Sequence, residues 1–272
     1  MSTTSRGSMT RFGKVRRQYI WQTIKKGPTE VGYAYFRARR RRKNISDDEP
    51  LLSESDQLIL SGAFDARDED IEENRRLIER YRTAKPFEIN SVTWMLPFFH
   101  HVYFGGTHTL LRFADHFARA HGVTTHFHCY DVGADRVPEL SGKIAAAFPA
   151  LAAATFSSGH SDLAELPACD AAIATLWSSA YPLLQLRGAR AKFYFVQDNE
   201  PQFYPASAAW GLAEETYRLG LPGIVNTPGL ADVYRAYGNP AVSFIPAVDR
   251  DRYHPSHEPR DPAAPVRVFF YA

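Results

Sequence analysis

Cysteine is scarce in this 272-residue chain, where Cys129 and Cys169 are the two present. They stand too far apart for a CxxC metal or redox pair and are too few for a disulfide framework, so the fold must rest on its own apolar core, and a reducing cytosol is the expected compartment. Long hydrophobic runs are missing too. No stretch approaches the roughly 20 apolar residues of a membrane-spanning helix, and the basic N-terminus lacks the apolar segment of a secretory signal. There is neither an HExxH nor a GxGxxG motif, which removes the usual sequence support for a zincin or a nicotinamide site. His126 and His128 would share one face of a strand, but no third ligand stands at a supporting spacing, so no metal is expected.

Charge is present but unevenly placed. Residues 1–44 hold thirteen Lys/Arg, among them Arg39 to Arg42 and Lys43, against the single acid Glu30. That arm carries about +12 and the remainder about −10, although the net charge is +2. With Tyr19, Trp21, Tyr33, Tyr35 and Phe36 interleaved, it suits an anionic membrane surface. A disordered basic tail is the plainer alternative, and no nucleic-acid motif accompanies the charge.

The rest divides by pattern. Residues 1–85 read as a basic, then acidic, helical or partly disordered extension that ends in DEDIEENRRLIERYR, where Ile71, Leu77, Ile78 and Tyr81 form an apolar stripe. Residues 86–255 alternate strand and helix, which predicts an α/β, doubly wound, Rossmann-like parallel sheet. Strands are expected at 89–96, 124–130, 153–157, 171–175, 192–197, 223–226 and 242–245. Helices are expected at 107–121, 136–148, 178–186, 207–219 and 228–237. A proline-rich link then leads to a strand-like run at 266–271, so 256–272 reads as the opening of a second domain that is cut short.

The segment AKFYFVQDNEPQFYP carries the most chemistry. Phe193 to Val196 are strand formers, and Gln197, Asp198, Asn199 and Glu200 follow at the carboxyl end, where open parallel sheets bind ligands. A solvated loop with a capping Asp is the alternative. Gly105 and Gly106, followed by Thr107, stand between the first strand and its helix, where a ligand can approach the backbone closely; a tight turn would need the same glycines. His100 and His101 just before them could bond substrate or move a proton, or simply pack in the loop. Asp131 closes the second strand at the place of a ribose-binding acid. Tyr204, Trp210 and Tyr217 offer aromatic surface for a sugar ring, or core. Asn226 ends a strand, Thr227 is placed as an N-cap, and Asp249 would meet an adjoining domain. No catalytic residue is assigned.

The GG loop, FYFVQDNEPQFYP, AEETYRLGLPGIVNTPGL and FIPAVDRDRYHP together resemble the N-terminal half of GT-B glycosyltransferases, within the family 4-like enzymes and nearest the WsaF-like rhamnosyltransferases. The resemblance covers residues 88–271. It implies an acceptor domain of a retaining, metal-independent hexosyltransferase with no cofactor beyond its nucleotide-sugar substrate. Gly105 and Gly106 would approach donor phosphates or acceptor, and Gln197, Asp198 and Glu200 would line the acceptor side. The E-x7-E pair that such enzymes carry in their second domain is absent here, so this polypeptide alone is expected to be inactive or very weak. The function expected is sugar transfer, with rhamnose from dTDP-rhamnose as the candidate, to a glycan or lipid-linked glycan at the cytoplasmic face of the membrane. A non-catalytic carbohydrate-binding or scaffold module is the alternative, and a nucleotide-dependent oxidoreductase a third.

Overall fold

The computed structural model describes residues 64, 66–83, 85–159, 163–248, 250, 254 and 265. The basic arm, Asp249 and the run at 266–271 lie outside the described residues.

Seven strands form one all-parallel sheet: β1 (Ser91–Leu96), β2 (Thr124–Cys129), β3 (Thr155–Ser158), β4 (Cys169–Ala174), β5 (Ala189–Val196), β6 (Gly223–Asn226) and β7 (Ala241–Phe244). Their spatial order is β3-β2-β1-β4-β5-β6-β7. The chain winds outward from β1 in one direction and, after crossing over, outward from β4 in the other. This is the doubly wound, Rossmann-like arrangement expected from the alternation, and it leaves a switch point between β1 and β4.

Burial on both faces explains the strand composition. Val92, Trp94, Leu96, Phe127, Ile173 and Phe195 pack on one side against α2 (Gly105–His121) and α3 (Val137–Ala147). Met95, Ala172, Ala174, Tyr194, Val196 and Val225 pack on the other against α4 (Trp177–Gln185) and α6 (Pro228–Ala236). Trp94 meets Phe195 edge to face at 6.2 Å and 82°, a geometry worth about 1 kcal/mol beyond burial.

Two elements depart from expectation. The helix foreseen at 207–219 is α5 (Ala208–Glu215) followed by a tighter 3-10 turn, Thr216–Arg218. The turn brings Tyr217 under the sheet rim, fully buried. The first helix, α1 (Asp68–Thr83), buries Asp70, Asn74 and Leu77, whereas Ile71 and Ile78 are only half-buried. The apolar stripe yields to polar residues because these find partners: Asp70 pairs with Arg187, and Asn74 Nδ2 donates to the Leu219 carbonyl at 3.1 Å.

Candidate functional site: a cleft at the switch point

The carboxyl ends of β1, β4, β5 and β6 open on a cleft of about 450 Å³. Its floor is closed across the switch point by the Thr175 hydroxyl, which donates to the Met95 carbonyl at 2.6 Å. Gly105, Gly106 and Thr107 line one side at the start of α2, and Gln197, Asp198, Glu200, Phe203 and Asn226 line the other. The two sides are tied where Gln197 Nε2 donates to the Gly106 carbonyl at 3.0 Å. A Cβ at Gly106 would come to 3.4 Å from that same Nε2, an ordinary van der Waals contact. The start of α2 has neither a side-chain cap nor an acid in its first turn, which leaves the positive end of its dipole uncompensated by side chains.

The loop after β5 is held from beneath. Tyr217 Oη donates to the Asp198 carbonyl at 3.0 Å and accepts from the Glu200 N–H at 3.3 Å. Asn226 Nδ2 donates to the Gln197 carbonyl at 3.0 Å, while its Oδ1 is enclosed with no donor among the described residues. Thr227 next to it has φ +69°, a region that a β-branched residue occupies only under strain. Its hydroxyl accepts from the Leu230 N–H at 3.5 Å, so it serves as the N-cap foreseen for α6.

Glu200 is the most constrained member. It is 2% exposed, and its Oε2 accepts from the Trp177 N–H in the first turn of α4 and from Tyr194 Oη at 2.7 Å. Burial pushes its carboxyl up to about 8; the bonds from Tyr194 and Trp177 pull the other way, and Asp198 adds to the rise.

Several site residues read from the sequence fall elsewhere. His100 and His101 are exposed and stand off the lining, with the His100 ring edge-on to Phe98 at 4.9 Å and the His101 ring beside Tyr103. Asn199 is half-buried outside the lining, its N–H given to Asp198 Oδ1 at 2.7 Å. The Tyr204 hydroxyl accepts from Trp177 Nε1 at 3.0 Å, which fixes its ring against Trp177 rather than in the cleft. Phe203, 53% exposed, supplies the aromatic wall instead, because the short 3-10 turn Glu200–Phe203 aims that side chain outward. Asp131 is spent on the chain itself, accepting from the Phe98 N–H at 2.9 Å. His126 and His128 join β2 to β3 through the hydroxyls of Thr155 and Ser157, at 2.8–2.9 Å. The polar rim was legible because Gln, Asp and Glu interrupt a strand. Pro97, Thr109, Leu110, Thr175, Leu176 and Pro246 complete the lining, and their placement follows from how the elements pack rather than from local pattern.

Fold and cleft together define a doubly wound α/β domain with a hydroxyl-, amide- and carboxylate-lined site at its switch point. No family model matches the chain. A Myxococcus xanthus protein named O-antigen biosynthesis protein RfbC is 45% identical to it over 185 residues, which are 67% of this chain and 14% of that protein. The chain thus spans a small part of that relative. Among the described residues no helix is long and apolar enough to cross a membrane.

Proposed function

We propose that this chain is the acceptor-binding domain of a sugar transferase in cell-surface polysaccharide biosynthesis. The observation that carries the reading is the chemistry of the switch-point cleft. Among the described residues its polar lining is Thr107, Thr109, Thr175, Gln197, Asp198, Glu200 and Asn226, with Phe203 as an apolar wall and no Lys or Arg. Hydroxyls, amides and carboxylates bond the hydroxyls of a neutral sugar, and an aromatic face packs on its ring. A diphosphate calls for fixed positive charge, so the nucleotide part of a donor would be held mainly by residues beyond this lining. The kinship to a protein named for O-antigen biosynthesis supports the same reading.

The finer points follow the GT-B resemblance: a retaining hexosyl transfer, rhamnose from dTDP-rhamnose as the candidate donor, a glycan or lipid-linked glycan as acceptor, and work at the cytoplasmic membrane face aided by the basic arm. Gly105, Gly106, Thr107, Gln197, Asp198, Glu200 and Asn226 form the acceptor site. The same lack of Lys and Arg among the described lining residues favours, as a second reading, a module that binds carbohydrate without transferring it.

Sugar transfer from dTDP-rhamnose and other nucleotide-sugars, assayed with the complete gene product beside the 272-residue chain, decides between them. Transfer by the complete product, with glycan binding but little transfer by this chain, is the expected result. Glycan binding with no transfer by either leaves the binding module, and neither activity overturns both readings.

A further inference from the structure

The switch-point cleft has no Lys or Arg among its described lining residues, yet the opposite end of the sheet is rich in them. A second cavity, of about 440 Å³, lies where β5 begins, between α1 and the turn that leads from α4 into that strand. Arg80 comes from α1, Lys85 from the segment after it, Arg187 from the turn, and Arg190 and Lys192 from the first half of β5. Glu73 is the one acid in the lining among the described residues. Arg80, Lys85, Arg187 and Arg190 are exposed, whereas Lys192 is buried.

The acids beside this cavity fall short of its cations. Glu73 meets Arg80 at 3.0 Å, Asp70 pairs with Arg187, and Asp170 meets Arg190 at 2.9 Å. Asp170 is shared further, its Oδ2 accepting from the N–H groups of Asn90 and Ser91. Neither Lys85 nor Lys192 has a carboxylate partner among the described residues, and Lys192 Nζ donates to the Leu184 carbonyl at 2.8 Å. Five cations against three acids leave an excess of about two positive charges. The Arg190 guanidinium lies over the Phe87 ring at 4.0 Å, which orders it before a ligand arrives. Converging guanidinium and ammonium groups bond phosphate oxygens with charge-assisted hydrogen bonds.

We propose that this cavity is a binding site for a phosphomonoester, apart from the switch-point cleft, in which the exposed Arg80, Lys85, Arg187 and Arg190 meet the phosphate oxygens and Lys192 adds its charge from beneath. The site lies at the amino end of β5 and the cleft at the carboxyl ends of the strands, so the proposal stands whether or not the cleft takes part in sugar transfer. The charge of Lys192 is adjustable. Burial, with Arg187 adding to the fall, pushes its ammonium down to about 8, against the pull of Asp70, Glu73 and Cys169. Burial pushes the Cys169 thiol and the Tyr81 hydroxyl up, which leaves Lys192 as the group of this cluster that changes charge near pH 8. A bound dianion favours the ammonium form, and loss of that proton weakens the hold on the ligand.

Isothermal titration of the 272-residue chain with glycerol 1-phosphate tests the site. The second pKa of a phosphomonoester lies near about 6, so above pH 7.5 the ligand stays dianionic and a pH effect belongs to the protein. Lys85→Ala should weaken binding about 5-fold and Lys192→Met about 10-fold, and the exposed Lys85→Ala should keep the wild-type urea transition. Wild-type affinity should fall as pH rises through about 8, and Lys192→Met should remove that fall. Dihexanoyl phosphatidate carries the same phosphomonoester on two short chains, and an apolar groove that shares Tyr81, Lys85 and Phe87 with the cavity lies beside it. Tighter binding of the phosphatidate, weakened by Lys85→Ala, assigns the site to a lipid headgroup; equal binding of the two probes, weakened in the same way, assigns it to a free phosphomonoester. Binding of neither probe, or binding that neither Lys85→Ala nor Lys192→Met weakens, overturns the proposal.

Discussion

Strand β5 and its following loop carry a buried ionisable group at each end. Lys192, toward the amino end, is 2% exposed and donates to the Leu184 carbonyl at 2.8 Å. Glu200, beyond the carboxyl end, is as deeply buried. Burial pushes Lys192 down to about 8, with Arg187 adding to the fall against the pull of Asp70 and Glu73, and it pushes Glu200 up to about 8. The surroundings differ in kind. Near Lys192 some polar groups are spent on structure, Asp70 with Arg187 and Asn74 Nδ2 with the Leu219 carbonyl, whereas Asn74 Oδ1 and the Tyr81 hydroxyl are enclosed with no partner among the described residues. Glu200 lines the switch-point cleft, and both donors to its carboxylate meet Oε2. Burial of a charge costs stability at either end, and each group lines a cleft, Lys192 beside Arg187 and Arg190 in one of about 440 Å³ and Glu200 beside Asp198 at the switch point, so the two ends differ in the sign of the neighbouring charge.

The largest way to sharpen this contrast is pH. From 4.5 to about 8 the folded chain holds the Glu200 proton that the unfolded chain has released, so stability falls as pH rises through that window. From about 8 to 10.5 the unfolded chain holds the Lys192 proton that the folded chain has lost, and stability rises again. Each limb has a slope of at most about 1.4 kcal/mol per pH unit. Urea midpoints from pH 5 to 10 are therefore expected to dip near 8. Glu200→Gln should flatten the acid limb and Lys192→Met the alkaline one. A mutant that flattens the opposite limb would break the assignment.

Truncation should separate the two ends next. Glu200→Ala leaves the Trp177 N–H and the Tyr194 hydroxyl buried without an acceptor, at a cost of about 3 kcal/mol in urea unfolding. Asp70→Ala leaves Arg187, whose side chain is 49% exposed and can turn to water, so about 1 kcal/mol is expected. Equal losses would mean that the carboxyl end is no more enclosed than the amino end.

These contrasts also mark what the sequence disclosed. The alternation of strand and helix follows from local pattern, and the seven strands lie within a few residues of their expected places. The polar break after Val196 located one side of the cleft because Gln197, Asp198 and Glu200 cannot continue a buried strand. Strand order then brings this segment against Gly106, a contact 91 positions apart in the chain that no local pattern encodes. The same limit explains Tyr204 and Asp131. Each has the right side chain near the right strand end, but a tertiary partner, Trp177 in one case and the Phe98 N–H in the other, takes it away from the ligand. In α1, polarity misdirected the reading, because Asp70 and Asn74 are buried by partners far along the chain.

The smallest effect tests the seam across the cleft. Gly105 and Gly106 are adjacent and both open α2, yet a Cβ at Gly105 meets nothing within 4 Å, whereas one at Gly106 reaches Gln197 Nε2 at 3.4 Å. Gly105→Ala should leave stability unchanged or raise it by about 0.5 kcal/mol, as alanine favours the helix. Gly106→Ala places its Cβ in ordinary contact with Gln197 Nε2 and should cost little, whereas Gln197→Ala removes the bond to the Gly106 carbonyl and should lose about 1 kcal/mol. Since that bond ties the two lining segments, Gln197→Ala should also weaken glycan binding while Gly105→Ala does not. Isothermal titration with an oligosaccharide acceptor reads this difference, and equal binding by the two variants would show that the cleft does not depend on the Gly106–Gln197 seam.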